Sequence, residues 1–319
     1  MNPLLNVEHL HTYYYLRGGV FKAVNDVSFE ISKADTLGLV GESGCGKSTV
    51  ALSIMNSVPK PGKIVEGKIT FDGLDVLSKN EKDMRKLKWK DISMVVQAVM
   101  SGFNPVYKIS DQIMEAILLH ENINKKEARE RCMELFSEVG LSPNWLDSYP
   151  HELSGGMKQR AFLAMAMSCS PKLLIADEPT TALDVMVQAQ IVNLMKKLQK
   201  DMDLSILLVT HDIALTAELC NKIAVMYAGK LVEICDVQKF FQDPKHPYSM
   251  SLIKSTPSLL TQQKQIEGLS GFPPSLVDLP PGCSFHSRCP FAKPICFKKE
   301  PLLTSAKNHG MVACHFVGN

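Results

Sequence analysis

The sequence predicts an α/β fold built on a largely parallel sheet and followed by a loop-rich tail. Three observations predict it. Short apolar runs at Thr36-Leu37-Gly38-Leu39-Val40, Leu173-Leu174-Ile175-Ala176 and Ile206-Leu207-Leu208-Val209 read as strands buried on both faces, where no polar alternation is needed. Stretches with helical spacing separate these runs, and strands alternating with helices make a parallel sheet. From about residue 243 prolines recur (Pro244, Pro247, Pro257, Pro273, Pro274, Pro280, Pro281) and periodicity fades, the texture of a linker leading into irregular structure.

The elements follow in order. Leu5 and Val7, then Val27, Phe29 and Ile31, alternate as strand residues sharing one face. A helix is expected from Lys47 to about Asn56. Residues 64–77 read as hairpin material around Asp72-Gly73. Residues 110–140 and 154–170 read as helices. Residues 183–202 carry Val187, Ile191, Leu194, Met195 and Leu198 at helical spacing.

The 319 residues suit one large domain with a smaller appendage. A formal net charge of +2 gives no basic field of the kind nucleic-acid binders carry. The longest apolar stretch, from Ala161 to Ala176, is interrupted by Pro171 and Lys172, so no membrane span is expected. Met1-Asn2-Pro3 opens without the basic and apolar segments of a signal peptide, which points to a reducing compartment. Four of the nine cysteines, Cys283, Cys289, Cys296 and Cys314, crowd into the tail, and disulfides would explain that cluster poorly there.

Gly41-Glu42-Ser43-Gly44-Cys45-Gly46-Lys47-Ser48-Thr49 fits G-x-x-x-x-G-K-S/T between a predicted strand and a predicted helix, the context that gives this motif its meaning. Glycines let the backbone wrap phosphate, and successive N–H groups at a helix start point at the anion. Lys47 brings a point charge to the β- and γ-phosphates, and the Ser48 hydroxyl is a ligand for Mg²⁺. Asp177 ends an apolar strand, as a carboxylate that holds Mg²⁺ through its water shell does, and Glu178 follows where it can orient or deprotonate a water. Standing alone, two such acids would more simply cap the next helix. Ser154-Gly155-Gly156-Met157-Lys158-Gln159 opens a helix and offers a second backbone anion site.

Leu153-Ser154-Gly155-Gly156 with Gln159 resembles the signature sequence of ABC ATPases, which in that family closes over ATP held by another subunit. The resemblance implies an ABC-type P-loop NTPase fold. That fold has a mostly parallel sheet core, an N-terminal antiparallel β subdomain and a helical subdomain at about 100–168, all within 1–242. Gln97 resembles the Q-loop glutamine that touches Mg²⁺ and the attacking water, although Ala98 follows it where an acid or proline is usual. Thr181-Ala182-Leu183-Asp184 resembles the D-loop that crosses the dimer interface, and His211 the H-loop histidine at the γ-phosphate. Tyr14 resembles the aromatic that stacks on adenine; alternation alone does not choose among Tyr13, Tyr14 and Tyr15, and the family's spacing to Val24 and Val27 favours Tyr14. Ala34-Asp35 stands where the family commonly has Gly-Glu.

The tail resembles the C-terminal region of oligopeptide and dipeptide importer ATPases. His246-Pro247-Tyr248 with Leu252 and Pro257 carries that likeness, as do Pro273-Pro274-Ser275-Leu276 and the run from Leu279 to Pro290. The resemblance implies a small metal-binding extension at 243–319 and ATP hydrolysis that powers peptide import. It also implies a second homologous ATPase subunit as partner, two transmembrane permeases and an extracytoplasmic substrate-binding protein. The chain would sit peripherally at the cytoplasmic face of the membrane. Oligosaccharide or nickel import is the alternative within the branch, and a non-transport ABC ATPase the alternative outside it. The cysteines follow C-x5-C-x6-C-x17-C, wider than the C-x2-C pairs of common zinc ribbons. Four thiolates on irregular loops suit an iron–sulfur cluster. The resemblance implies a four-iron, four-sulfur (4Fe-4S) cluster, with Zn²⁺ as the alternative metal and free thiols as the plain one.

Overall fold

The computed structural model describes residues 2–96, 102–181, 183–255 and 271–317. It divides the chain into two compact units, the first of residues 1–32, 36–77 and 208–319, the second of residues 33–35 and 78–207.

In the first unit, β1 (Leu5–Leu16), β2 (Gly19–Ile31), β4 (Gly62–Phe71) and β5 (Leu74–Asp75) form a sheet in the order β2-β1-β4-β5. Leu5 pairs with Ile31 on one side and Phe71 on the other. All three are buried, the face the alternation predicts. Pairing shifts register between Val7 and Leu10, where His9 takes φ 47°, so β1 is bulged. The expected hairpin turns at Asp72-Gly73, both with positive φ.

A second group of strands carries the phosphate-loop motif. β3 (Thr36–Val40) is buried at all five positions and pairs in parallel with β9 (Lys222–Tyr227). β9 turns at Ala228-Gly229 into β10 (Lys230–Asp236), which pairs with β12 (Gly310–Val312) and through it β11 (Thr304–Ala306). Among the described residues the α-helices of this unit are α1 (Lys47–Ile54), α7 (Ile213–Leu219), α8 (Val237–Gln242) and α9 (Pro247–Lys254). The tail is loop-rich, as expected, but it packs: Tyr227, Phe240, Tyr248, Leu276 and Phe285 belong to one buried cluster with Val40 and Val225.

In the second unit, β6 (Ile92–Val95) and β7 (Leu173–Asp177) are parallel, with Ile92 opposite Leu173. β8 (Ser205–Thr210) lies next to β7 and carries the chain out of this unit. Among the described residues its α-helices are α2 (Glu81–Leu87), α3 (Ile109–His120), α4 (Lys125–Glu138), α5 (Gly155–Met167) and α6 (Val185–Met202). The helical stretch read across residues 110–140 is two helices. Asn124 forms a capping box with Glu127 and starts α4 afresh, a motif worth about 1 kcal/mol that outcompetes continuation of α3. Among the described residues no helix is long and apolar enough to cross a membrane.

Candidate functional site

In the first unit β3 delivers the chain into a loop whose shape depends on glycine. Gly46 has φ 108°, and a Cβ there would fall 1.9 Å from the carbonyl oxygen of Ala23. Gly46 also caps α1 without any side-chain hydrogen bond, and the first turn of α1 carries no acid. That leaves a helix start with N–H groups suited to an anion. Lys47 is only 5% exposed, and its Nζ donates to the carbonyls of Gly41 (2.7 Å) and Glu42 (3.0 Å). The ammonium is thus held against the loop by carbonyls instead of extending into water. Ser43, Gly44 and Ser48 are exposed at the rim, and Thr49 is half-buried. Burial pushes the Cys45 thiol up, so it stays protonated near neutral pH.

Tyr14 and His211 also lie in this unit. The Tyr14 ring meets Phe21 edge-on at 6.4 Å and lies over Gly62, where a Cβ would be 2.6 Å from its Cε1. Tyr13 instead donates its hydroxyl to Asn25 (2.9 Å), and Tyr15 is exposed. His211 is exposed just beyond β8, before Asp212, which caps α7 by accepting from the N–H groups of Ala214 and Leu215.

One feature of the loop was not legible in the sequence. Glu42 accepts two hydrogen bonds from Arg288, at 2.7 and 2.8 Å, and its N–H donates to the Tyr248 hydroxyl at 2.8 Å. The Arg288 guanidinium lies 5.8 Å from the Tyr227 ring centroid.

In the second unit, Asp177 is 5% exposed at the end of β7. Glu178 follows with φ 50°, a left-handed backbone that costs a non-glycine residue on the order of 1 kcal/mol. Its Oε2 accepts from the Thr181 hydroxyl at 3.0 Å. Ser154 caps α5 by accepting from Met157 N–H. Asp184 caps α6 by accepting from Val187 N–H. The two capped starts are brought together, since a Cβ on Gly156 would sit 2.7 Å from Val187 Cγ1 and one on Gly155 would sit 3.9 Å from Leu183. Gln97 and Ala182 lie outside the described residues.

In the tail, Cys283, Cys289, Cys296 and Cys314 line one pocket with Phe285, Phe291 and Phe316. Burial pushes the Cys283 thiol up to about 11 and raises Cys289 and Cys314. Backbone N–H groups two residues onward, at Phe285, Phe291 and Phe316, act against that rise by favouring thiolate. No three of the four sulfurs lie within 4.8 Å of one another.

Among the described residues a different trio, Glu233, Cys235 and His309, does meet that spacing. Nothing in the sequence pointed to it. The Glu233 carboxylate is already engaged at both oxygens. It accepts from Lys245 N–H (3.0 Å) and His246 N–H (2.8 Å), and His309 Nε2 lies 2.5 Å from it. That arrangement pins the start of the tail to β10 and β12 and leaves little for a metal.

Residues 24–181 match the family model described as ABC transporter, and residues 232–296 that described as oligopeptide/dipeptide transporter, C-terminal region. The chain is 42% identical over 315 residues to the dipeptide transport ATP-binding protein DppD of Escherichia coli, covering 98% of this chain and 96% of the relative. It is 44% identical over 317 residues to the oligopeptide transport ATP-binding protein AppD of Bacillus subtilis, covering 98% and 97%. A dimeric ATP-binding cassette solved in a post-hydrolysis state with ADP and phosphate superposes with TM-score 0.67 at 23% identity, over 73% of this chain and 98% of that one. At that identity it speaks for the fold alone. A cassette from an ABC transporter complex of Clostridium perfringens gives TM-score 0.66 at 26% identity, over 76% and 92%.

Proposed function

The chain belongs to the ABC transporter ATPases, in the branch of dipeptide and oligopeptide ATP-binding proteins, and on that premise we propose that it hydrolyses ATP to power peptide import. The observation that carries this reading is similarity at 42–44% identity along 98% of the chain, tail included. The tail match supports the peptide branch in particular.

The roles follow residue by residue. Residues 41–49 would wrap the phosphates, with Lys47 neutralising the β- and γ-phosphates, and Tyr14 would stack on adenine. Ser48, Asp177 and Gln97 would hold Mg²⁺, a hard cation matched to their oxygen donors, which neutralises phosphate charge when bound. Glu178 would orient or deprotonate the attacking water, and its strained backbone, tied to Thr181, supports a functional placement. His211 would contact the γ-phosphate. Ser154, Gly155, Gly156 and Asp184 would act across a dimer, on ATP bound by a second homologous subunit. Closure of that dimer on two ATP molecules, and its opening after hydrolysis, would shift two permeases between conformations. The chain would work peripherally at the cytoplasmic face, supplied with cargo by a substrate-binding protein.

The tail cysteines would hold a 4Fe-4S cluster. Four thiolates gathered from irregular loops onto one pocket suit an iron–sulfur cluster, with Zn²⁺ as the alternative metal. N–H groups aimed at three of the sulfurs fit thiolate ligands.

The test is transport. Proteoliposomes holding this chain, its partner ATPase and the permeases are offered labelled dipeptide, oligosaccharide or Ni²⁺ with the binding protein for each. ATP-dependent uptake of peptide is expected. Uptake of only sugar or nickel would reject the peptide assignment while keeping the ATPase.

A further inference from the structure

Glu42 occupies the second position of the phosphate loop, where an acid is electrostatically out of place. The loop exists to attract a polyanion, and a bare carboxylate beside it would repel one. The structure resolves the conflict from a distant part of the chain. Arg288 grips both Glu42 oxygens, at 2.7 and 2.8 Å, in the bidentate geometry that gives the strongest charge-assisted hydrogen bonds. The Arg288 side chain is 4% exposed, so this is not a screened surface pair. Tyr248 completes the hold by accepting from the Glu42 N–H at 2.8 Å. The Glu42 carbonyl in turn accepts from Lys47 Nζ, the ammonium nearest the expected phosphates.

The clamp is rigid. The rings of Tyr227, Tyr248 and Phe285 pack against one another with centroids 4.7 to 5.4 Å apart. Arg288 NH1 also lies 3.4 Å from the Tyr227 hydroxyl. Phe285 and Arg288 stand on the turn between Cys283 and Cys289, which is closed by bonds from His286 N–H to Cys283 and from Cys289 N–H to His286. Order in the cysteine loops therefore presents the arginine to the phosphate loop.

We infer that the C-terminal extension is a positioning clamp for nucleotide, in which Arg288 neutralises and Tyr248 orients Glu42. Both are positioning residues, acting on ATP through the loop. The inference rests on the reading of residues 41–48 as the ATP site. It couples the folding of the cysteine loops to ATP affinity, and by linkage ATP must stabilise those loops in return.

The test measures the Kd of full-length chain for a non-hydrolysable ATP analogue with Mg²⁺, alongside its circular dichroism. Arg288→Ala is expected to weaken binding about tenfold or more, because it strips the charge partner from Glu42. Adding Glu42→Gln to Arg288→Ala is expected to recover most of that loss, since the repelling charge is then gone, an outcome that a purely structural role for Arg288 does not produce. Tyr248→Phe, which keeps the ring and removes only the hydroxyl, is expected to weaken binding by roughly threefold to tenfold. If Arg288→Ala does not fold, Tyr248→Phe decides. A folded Arg288→Ala with unchanged Kd overturns the clamp, as does an unchanged Kd in folded Tyr248→Phe, or a double variant no better than Arg288→Ala. Lys47→Ala separates the layers. If the parent binds the analogue and Lys47→Ala does not, the ATP-site reading stands whatever becomes of the clamp; if neither binds, both fall.

Discussion

Arg288 and Glu42 are 246 residues apart in sequence and joined by two hydrogen bonds under 3 Å, so the tail reaches back to the phosphate loop. Phe285 is the hydrophobic keystone of that contact. It is 1% exposed and touches both Tyr227 and Tyr248. Phe285→Ala is expected to cost about 3–5 kcal/mol of unfolding free energy, read from denaturant midpoints. Amide exchange should rise in the phosphate loop as well as in the tail. Exchange confined to the tail would show that the two move independently.

Glu178→Gln keeps the shape of the side chain and removes its charge. ATP binding is expected to stay near the parent value while phosphate release falls by about a hundredfold or more. Normal turnover would remove Glu178 from its proposed role.

Gly46 and Gly44 share a loop but not a constraint. A Cβ at Gly46 meets the Ala23 carbonyl at 1.9 Å, whereas at Gly44 it meets open space. Gly44→Ala is expected to cost only the left-handed backbone penalty, about 1–2 kcal/mol. Gly46→Ala must displace backbone and should cost clearly more, with ATP binding lost. Equal melting temperatures for the two variants would contradict this reading of the loop.

His246 gives a pH signature. It is buried, its Nδ1 accepts from Tyr248 N–H, and burial lowers its pKa from 6.5 to about 3. The unfolded chain takes up a proton below pH 6.5 and the folded one only near pH 3. Stability is therefore full above the unfolded pKa and falls as pH drops, by about 3 kcal/mol at pH 4. His246→Asn, which supplies an oxygen acceptor without that titration, should flatten the slope of melting temperature between pH 6.5 and 4. An unchanged slope would assign acid sensitivity to other groups.

The fold was legible where local chemistry decides it. β3, β7 and β8 are buried throughout and built around apolar runs, and the phosphate loop sits between a strand and a helix as its spacing requires. The β9–β10 hairpin was not legible. Its turn is Ala228-Gly229, with φ 47° and 83°, in place of the Asn-Gly or Asp-Gly that advertises such turns. β9 is nearly all buried and shows no alternation. The clamp and the Glu233–His309 pair were invisible for another reason. They join residues 246 and 76 positions apart, and no local pattern encodes such a meeting.

The cluster proposed for the tail has a direct test. Protein purified without oxygen is expected to be brown, with about four iron and four sulfide per chain. Cys289→Ser or Cys314→Ser should lose the colour and lower the melting temperature. Colourless protein holding one zinc would replace the cluster with a mononuclear site.

ATP hydrolysis by this chain is proposed to be spent on moving peptide. The most direct measurement is phosphate release from the reconstituted transporter, with and without peptide-loaded binding protein, for the parent and for Glu178→Gln. Peptide-stimulated release is expected in the parent and almost none in the variant. Release that ignores peptide, or that survives Glu178→Gln, would contradict that proposal.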